Sequence, residues 1–171
     1  MSAFSKSAAR KAARLGAAAS VKTGLVGGVR VLGINGYQNI ETLKAGDAVI
    51  TRNGMRELRA LRVREIKMRP LKLSKDVLGH DRPNSDMLVA PDQYVLVRDW
   101  RAPIMFGHEQ VIVHLSRLID GEYIARMDEE ETYTVYDLVF DTEQVYYADG
   151  VEMVSSAVKT PHGTKGTQSA A

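Results

Sequence analysis

Hydrophobic residues from Val29 onward recur mainly at every second position, the period of strands with one buried and one wet face. The pattern predicts strands at Ala48–Thr51, Leu58–Ile66, Met87–Val89, Tyr94–Val97, Val111–Leu115, Tyr123–Met127, Thr132–Phe140 and Val145–Ala148. Asn35-Gly36, Asn53-Gly54, Asp120-Gly121 and Asp149-Gly150 punctuate these runs. Such dipeptides accept the positive φ angles of tight hairpins. The chain therefore reads as all-β. In Leu58–Ile66, Leu58, Ala60, Leu61, Val63 and Ile66 are interrupted by Arg59, Arg62, Arg64 and Glu65, which predicts a long, curved strand with a solvated face. Lys67–Ser85, with two prolines, reads as a loop holding one helical turn, and Val113–Ile119 as the other place for a short helix. Trp100, Ile104, Met105 and Phe106 are expected in the core, a partner-binding patch being the alternative. Pro103 marks their segment as an edge or loop.

A chain of 171 residues, 44% hydrophobic, fits one domain with a proper core. The absence of cysteine excludes disulfides, thiolate metal sites and thiol catalysis. No apolar run reaches the roughly 20 residues that span a bilayer. Charge is uneven. Lys6, Arg10, Lys11, Arg14 and Lys22 precede the first acidic residue, Glu41, whereas residues 23–158 hold sixteen basic and twenty-one acidic side chains. This predicts a basic arm over 1–22, flexible or helical, a folded body over 23–157, and a disordered tail over 158–171 that has no large apolar residue after Val158. The arm has no aromatic interleaving and a thin apolar face, which argues against nucleic-acid or membrane contact. Its GAAASV stretch is too short for a signal-peptide core, so the cytoplasm is the expected compartment.

No metal or cofactor is expected. His80, His108, His114 and His162 fit no metal-ligand spacing, and consecutive carboxylates at Asp128–Glu131 diverge in a hairpin loop. Gly27-Gly28 lacks the rest of a phosphate-binding loop.

Three blocks carry a family resemblance. Glu41, Leu43, Gly46, Asp47, Val49 and Thr51 fall in order on an E-x-L-x-x-G-D-x-V-x-T run, preceded by GLVGGVRVLG from Gly24. Leu88–Val97 reads LVAPDQYVLV, and Val135–Ser156 reads VYDLVFDTEQVYYADGVEMVSS. Together these resemble the Hint (Hedgehog/intein) domain, a bacterial Hint-like member in particular. The resemblance implies the curved, pseudo-symmetric β-strand Hint fold with short helical turns, and a self-splicing or autoproteolytic ancestry. It also implies where the chemistry should sit. The nucleophile position falls on Gly24, which has no hydroxyl or thiol to attack the preceding carbonyl. The Thr-x-x-His positions hold Ala90 and Gln93, and glutamine cannot supply a proton near neutral pH. The closing block holds Gln144, Val154 and Ser155 where histidine, histidine and asparagine are usual, and keeps an acidic residue, Asp137.

These seven positions are vestigial on this reading, with no catalytic residue expected. The function expected is that of a catalytically inactive Hint-like module, binding or structural, with a protein partner that the sequence does not identify. The alternative is residual autoprocessing through a hydroxyl near the N-terminal junction, Thr23, one residue out of register.

Overall fold

The computed structural model describes residues 22–158. Expectations for the rest of the arm and for the tail beyond Val158 lie outside the described residues.

Fifteen strands build two sheets. In chain order they are β1 (Leu25–Val26), β2 (Arg30–Gly33), β3 (Gly36–Asn39), β4 (Ala48–Thr51), β5 (Gly54–Glu57), β6 (Ala60–Met68), β7 (Leu71–Leu73), β8 (Met87–Val89), β9 (Tyr94–Val97), β10 (Val111–His114), β11 (Ile124–Arg126), β12 (Glu131–Phe140), β13 (Val145–Ala148), β14 (Val151–Val154) and β15 (Ser156–Ala157). One α-helical turn, α1 (Arg101–Phe106), and two 3-10 turns, Ile40–Thr42 and Leu115–Leu118, complete the described chain. The first sheet runs β11-β7-β8-β1-β12-β15 with β6 also on β12; the second runs β10-β9-β14-β13-β2-β4-β5 with β3 on β2. All strand pairs are antiparallel except β12–β15. No helix among the described residues is long and apolar enough to cross a membrane.

Leu25, Val31, Val49, Leu71, Val89, Val95, Leu138 and Tyr146 meet in one core shared by both sheets. The dominant register is β6 against β12, which pairs Ala60 with Val139 through to Met68 with Glu131. This is the long strand that the Leu58–Ile66 alternation predicts, shifted two residues later.

The six-residue motif proves to be structural at every position. The Glu41 carboxylate accepts the Gly28 N–H and so closes the β1–β2 turn. Leu43 and Val49 are buried. Gly46 takes φ 94°, and the Asp47 carboxylate accepts the Lys44 N–H at 2.9 Å, turning the chain into β4. Buried Thr51 donates its hydroxyl to the Gly54 carbonyl at 2.7 Å and accepts the Asn53 N–H at 3.1 Å, which locks the β4–β5 hairpin.

Two local expectations need correction. The Lys67–Ser85 loop contains β7, because Leu71 and Leu73 alternate with Lys72 and bury fully against β8 and β11. Pro103 lies in a helix, not an edge or loop. It is the third residue of α1, where the first-turn N–H groups have no intrahelical partner to lose. Gly107, at φ 73°, ends the turn by donating to the Pro103 carbonyl. The same turn points side chains outward: Trp100 is 63%, Ile104 76% and Met105 50% exposed. They are not core; only Phe106 of that stripe packs against it, beneath the Arg117 guanidinium.

Candidate functional site

β1, β9, β12 and β14 come together where the body's chain ends meet. Gln93, 2% exposed just before β9, is the hub. Its Oε1 accepts the Gly24 N–H at 2.9 Å, and its Nε2 donates to the Val154 carbonyl at 2.7 Å and to the Tyr94 carbonyl at 2.9 Å. One side chain thus fastens the residue before β1 to the end of β14. Ala90 joins through its N–H, which donates to the Gly24 carbonyl at 3.0 Å.

Gly24 has little room for anything larger. Its φ is 110°, and a Cβ there would run into Val135 Cγ1 and lie 2.8 Å from the Tyr136 carbonyl oxygen. The neighbour that does carry a hydroxyl is Thr23, whose Oγ1 lies 3.4 Å from Asp137 Oδ2 and accepts from Arg64 Nη2 at 3.2 Å.

Asp137, on β12, is buried. Ser156 Oγ donates to its Oδ2 at 3.0 Å, and Arg62 and Arg64 approach the same oxygen at 3.5 and 3.8 Å. The β6–β12 register explains the arginines, since it places Arg62 directly opposite Asp137. Behind this carboxylate, burial and then the Asp137 charge push the Tyr146 hydroxyl far above its ordinary range. Thr23, Arg62, Gln93, Tyr94, Asp137 and Ser156 line an open cleft of about 270 Å³.

Gln144 and Ser155 form a second cross-link beside it. The Gln144 N–H donates to Ser155 Oγ at 2.9 Å, and the Ser155 N–H to the Gln144 carbonyl at 2.8 Å. Gln144 Oε1 also accepts from Asn53 Nδ2 at 3.1 Å. Beyond Ser155 the chain does not leave the fold: Ser156 and Ala157 pair with Val139 and Phe140, and the Val158 N–H donates to the Phe140 carbonyl at 2.8 Å.

All seven positions singled out from the sequence therefore fall in three hydrogen-bonded groups: Gly24, Ala90, Gln93 and Val154 in one, Asp137 with Thr23 and Ser156 in another, and Gln144 with Ser155 in the third. Sequence reasoning missed Arg62, Arg64 and Tyr94. Their only signal was alternation along β6 and β9, which does not reveal a partner across the sheet. Among the cleft's lining residues there is no histidine. His114, on β10, stacks on the Tyr94 ring at 4.0 Å and bonds the Asp92 carbonyl through Nδ1.

A cluster of Asp76, His80 and Asp81 brings three potential ligand atoms together, but all three residues are exposed and none lines this cleft.

Two β-sheets, joined along the long β6–β12 pair with Gln93 bridging Gly24 and Val154 beside a polar cleft, define an all-β domain. The Hint domain model matches residues 23–159, and the chain belongs to that family. Among solved structures, the bacterial intein-like domain from Clostridium thermocellum is similar over 78% of this chain and 98% of its own, at 20% identity and a TM-score of 0.54. The gp41-1 intein matches over 78% and 97% at 12% identity and a TM-score of 0.49, and the MchDnaB-1 intein over 77% and 99% at 11% and 0.48. No curated protein matches the chain.

Proposed function

We propose that this protein is a catalytically silent Hint module that serves as a binding or structural scaffold. The observation that carries the reading is the use made of the site's central positions. Gly24 sits in a positive-φ niche where a Cβ would collide with Val135, and Gln93 spends both ends of its amide tying Gly24 to Val154. Acyl transfer needs a nucleophile and a group to move its proton. Here a side-chain-free residue and a non-titrating amide hold those places. The pairing of β15 with β12 adds to this, because it holds Ser156 and Ala157 in the sheet beyond Ser155.

The test is the intact mass of the full-length chain, fresh and after long incubation with and without hydroxylamine, which cuts esters and thioesters. A single species at 18.9 kDa in every sample is expected. Fragments meeting near residue 23 or 155 would overturn the reading.

One observation favours a second reading. The Lys22 carbonyl accepts the Asp92 N–H at 2.9 Å while the Thr23 hydroxyl sits beside Asp137. Attack by Thr23 Oγ1 on the Lys22 carbonyl carbon, with the hydroxyl proton passing to the departing Thr23 nitrogen, would convert that amide to an ester. Hydroxylamine would then release residues 1–22, and Thr23→Ala would abolish the release.

A further inference from the structure

The second sheet turns one face to the core; on the other, Leu78 and Arg82 lie beside β9 and β14, and the β3–β2–β4–β5 end is exposed among the described residues. Val31, Val49, Val95, Tyr146 and Met153 point inward, so the two-residue strand period turns Leu32, Ile50, Leu96, Tyr147 and Glu152 outward. Register extends the open face by setting Tyr37 opposite Leu32 and Met55 opposite Ile50. Tyr37 is 41% and Met55 57% exposed, while Leu32, Ile50 and Tyr147 are half-buried. An apolar row therefore crosses β3, β2, β4 and β5 with no element of the described chain over it.

Arginines flank that row. Glu152 faces outward yet is only 3% exposed, because Arg52 Nη1 at 2.7 Å, Arg98 Nε at 2.5 Å and Arg82 Nη1 at 3.7 Å lie over its carboxylate. Arg30 is held the same way, by buried Asp149 at 3.4 Å, and lies 5.8 Å from the centre of the Tyr37 ring. Four guanidinium groups thus stand over two buried carboxylates, which leaves an excess of positive charge in a body with more acidic than basic residues. Glu57 and Asp81 are exposed at the rim. Each guanidinium has five N–H donors; Arg30, Arg52 and Arg98 each use one nitrogen on its acid and Arg82 only approaches Glu152, so donors are left for a ligand. The buried acids also fix these long side chains in advance, which lowers the ordering cost of binding. Arginine, tyrosine and methionine around an apolar centre are the composition of a protein interface.

We infer that this face docks an acidic segment of a partner protein, with its carboxylates on Arg30, Arg52, Arg82 and Arg98 and its apolar side chains on the Leu32–Tyr37–Ile50–Met55 row. The inference rests on the scaffold reading but fails separately from it: an uncut chain that binds no acidic peptide loses the docking face and keeps the silent site.

Amide shifts of the isotope-labelled full-length protein are followed as a synthetic peptide of alternating glutamate and leucine is added. A lysine–leucine counterpart and oligothymidylate are titrated in parallel. The expected result is saturable binding of the acidic peptide that weakens with salt, with shifts confined to β2–β5, β13, β14 and the backbone around Arg82 and Arg98. Tyr37→Glu and Met55→Glu each weaken it by roughly tenfold or more, and Val63→Glu, exposed on β6 of the other sheet, leaves it unchanged. Substituting exposed positions avoids stranding Glu152, and an unaltered amide spectrum checks that each variant is folded. Absence of saturation, shifts elsewhere, equal binding of the lysine peptide, or preference for oligothymidylate, which arginine and tyrosine could also receive, would each overturn the inference.

Discussion

At Gly24 the sequence and the structure answer different questions. On the proposed reading the nucleophile's place is held by a residue with no side chain; the geometry adds that the backbone there has settled into a conformation that excludes one. Restoring the usual residue is therefore expected to harm the fold without bringing back chemistry. Gly24→Cys should cost about 2–4 kcal/mol of stability, the combined effect of a positive φ and a side chain forced against Val135 and the Tyr136 carbonyl. A denaturant midpoint for the variant equal to the parent's would contradict this. Gln93 shows the same shift of role. Its polar atoms were legible as non-catalytic, but their partners, Gly24 N–H and the Val154 carbonyl, are 69 and 61 residues away along the chain. Local sequence cannot reveal bonds of that reach.

Strands were legible as elements because their alternation reports burial directly. Ala48–Thr51, Met87–Val89, Tyr94–Val97 and Val145–Ala148 match the predicted bounds residue for residue. β7 was hidden by Pro70 beside it and by the proline, glycine and polar residues that make Lys67–Ser85 read as a loop. α1 was hidden by Pro103, whose effect depends on whether it enters a helix in the first turn or later. The turn before β11 offers a test at this scale. Burial raises the Asp120 carboxyl, but the N–H groups of Ile124, Glu122 and Tyr123 outweigh it and hold the group below its usual range. A depressed folded pKa stabilises the fold above the ordinary carboxylate pKa and is lost as pH falls through the folded value. Asp120→Asn should thus lower Tm near neutral pH and narrow the gap in Tm between neutral and strongly acidic solution, as followed by circular dichroism. An unchanged gap would show that the three N–H bonds do not couple to pH.

For the molecule as a whole, Glu152 ties distant parts together. Its carboxylate gathers Arg52 after β4, Arg82 from the loop before β8 and Arg98 after β9. Removing it with Glu152→Ala leaves three guanidiniums over a buried vacancy, and a loss of about 3–5 kcal/mol is expected in urea unfolding. A loss below about 1 kcal/mol would mean that these pairs behave as exposed ones do. The sequence by itself determined the all-β class, most strand positions and the six-residue turn motif, because each is written in local period, turn chemistry or side-chain type. Only the tertiary structure decided that Gly24, Gln93 and Val154 interlock, that Trp100, Ile104 and Met105 face solvent, and that four arginines collect beside one apolar sheet face. These depend on strand register and on which sheet face meets the core, and both are set by contacts between residues far apart in the chain.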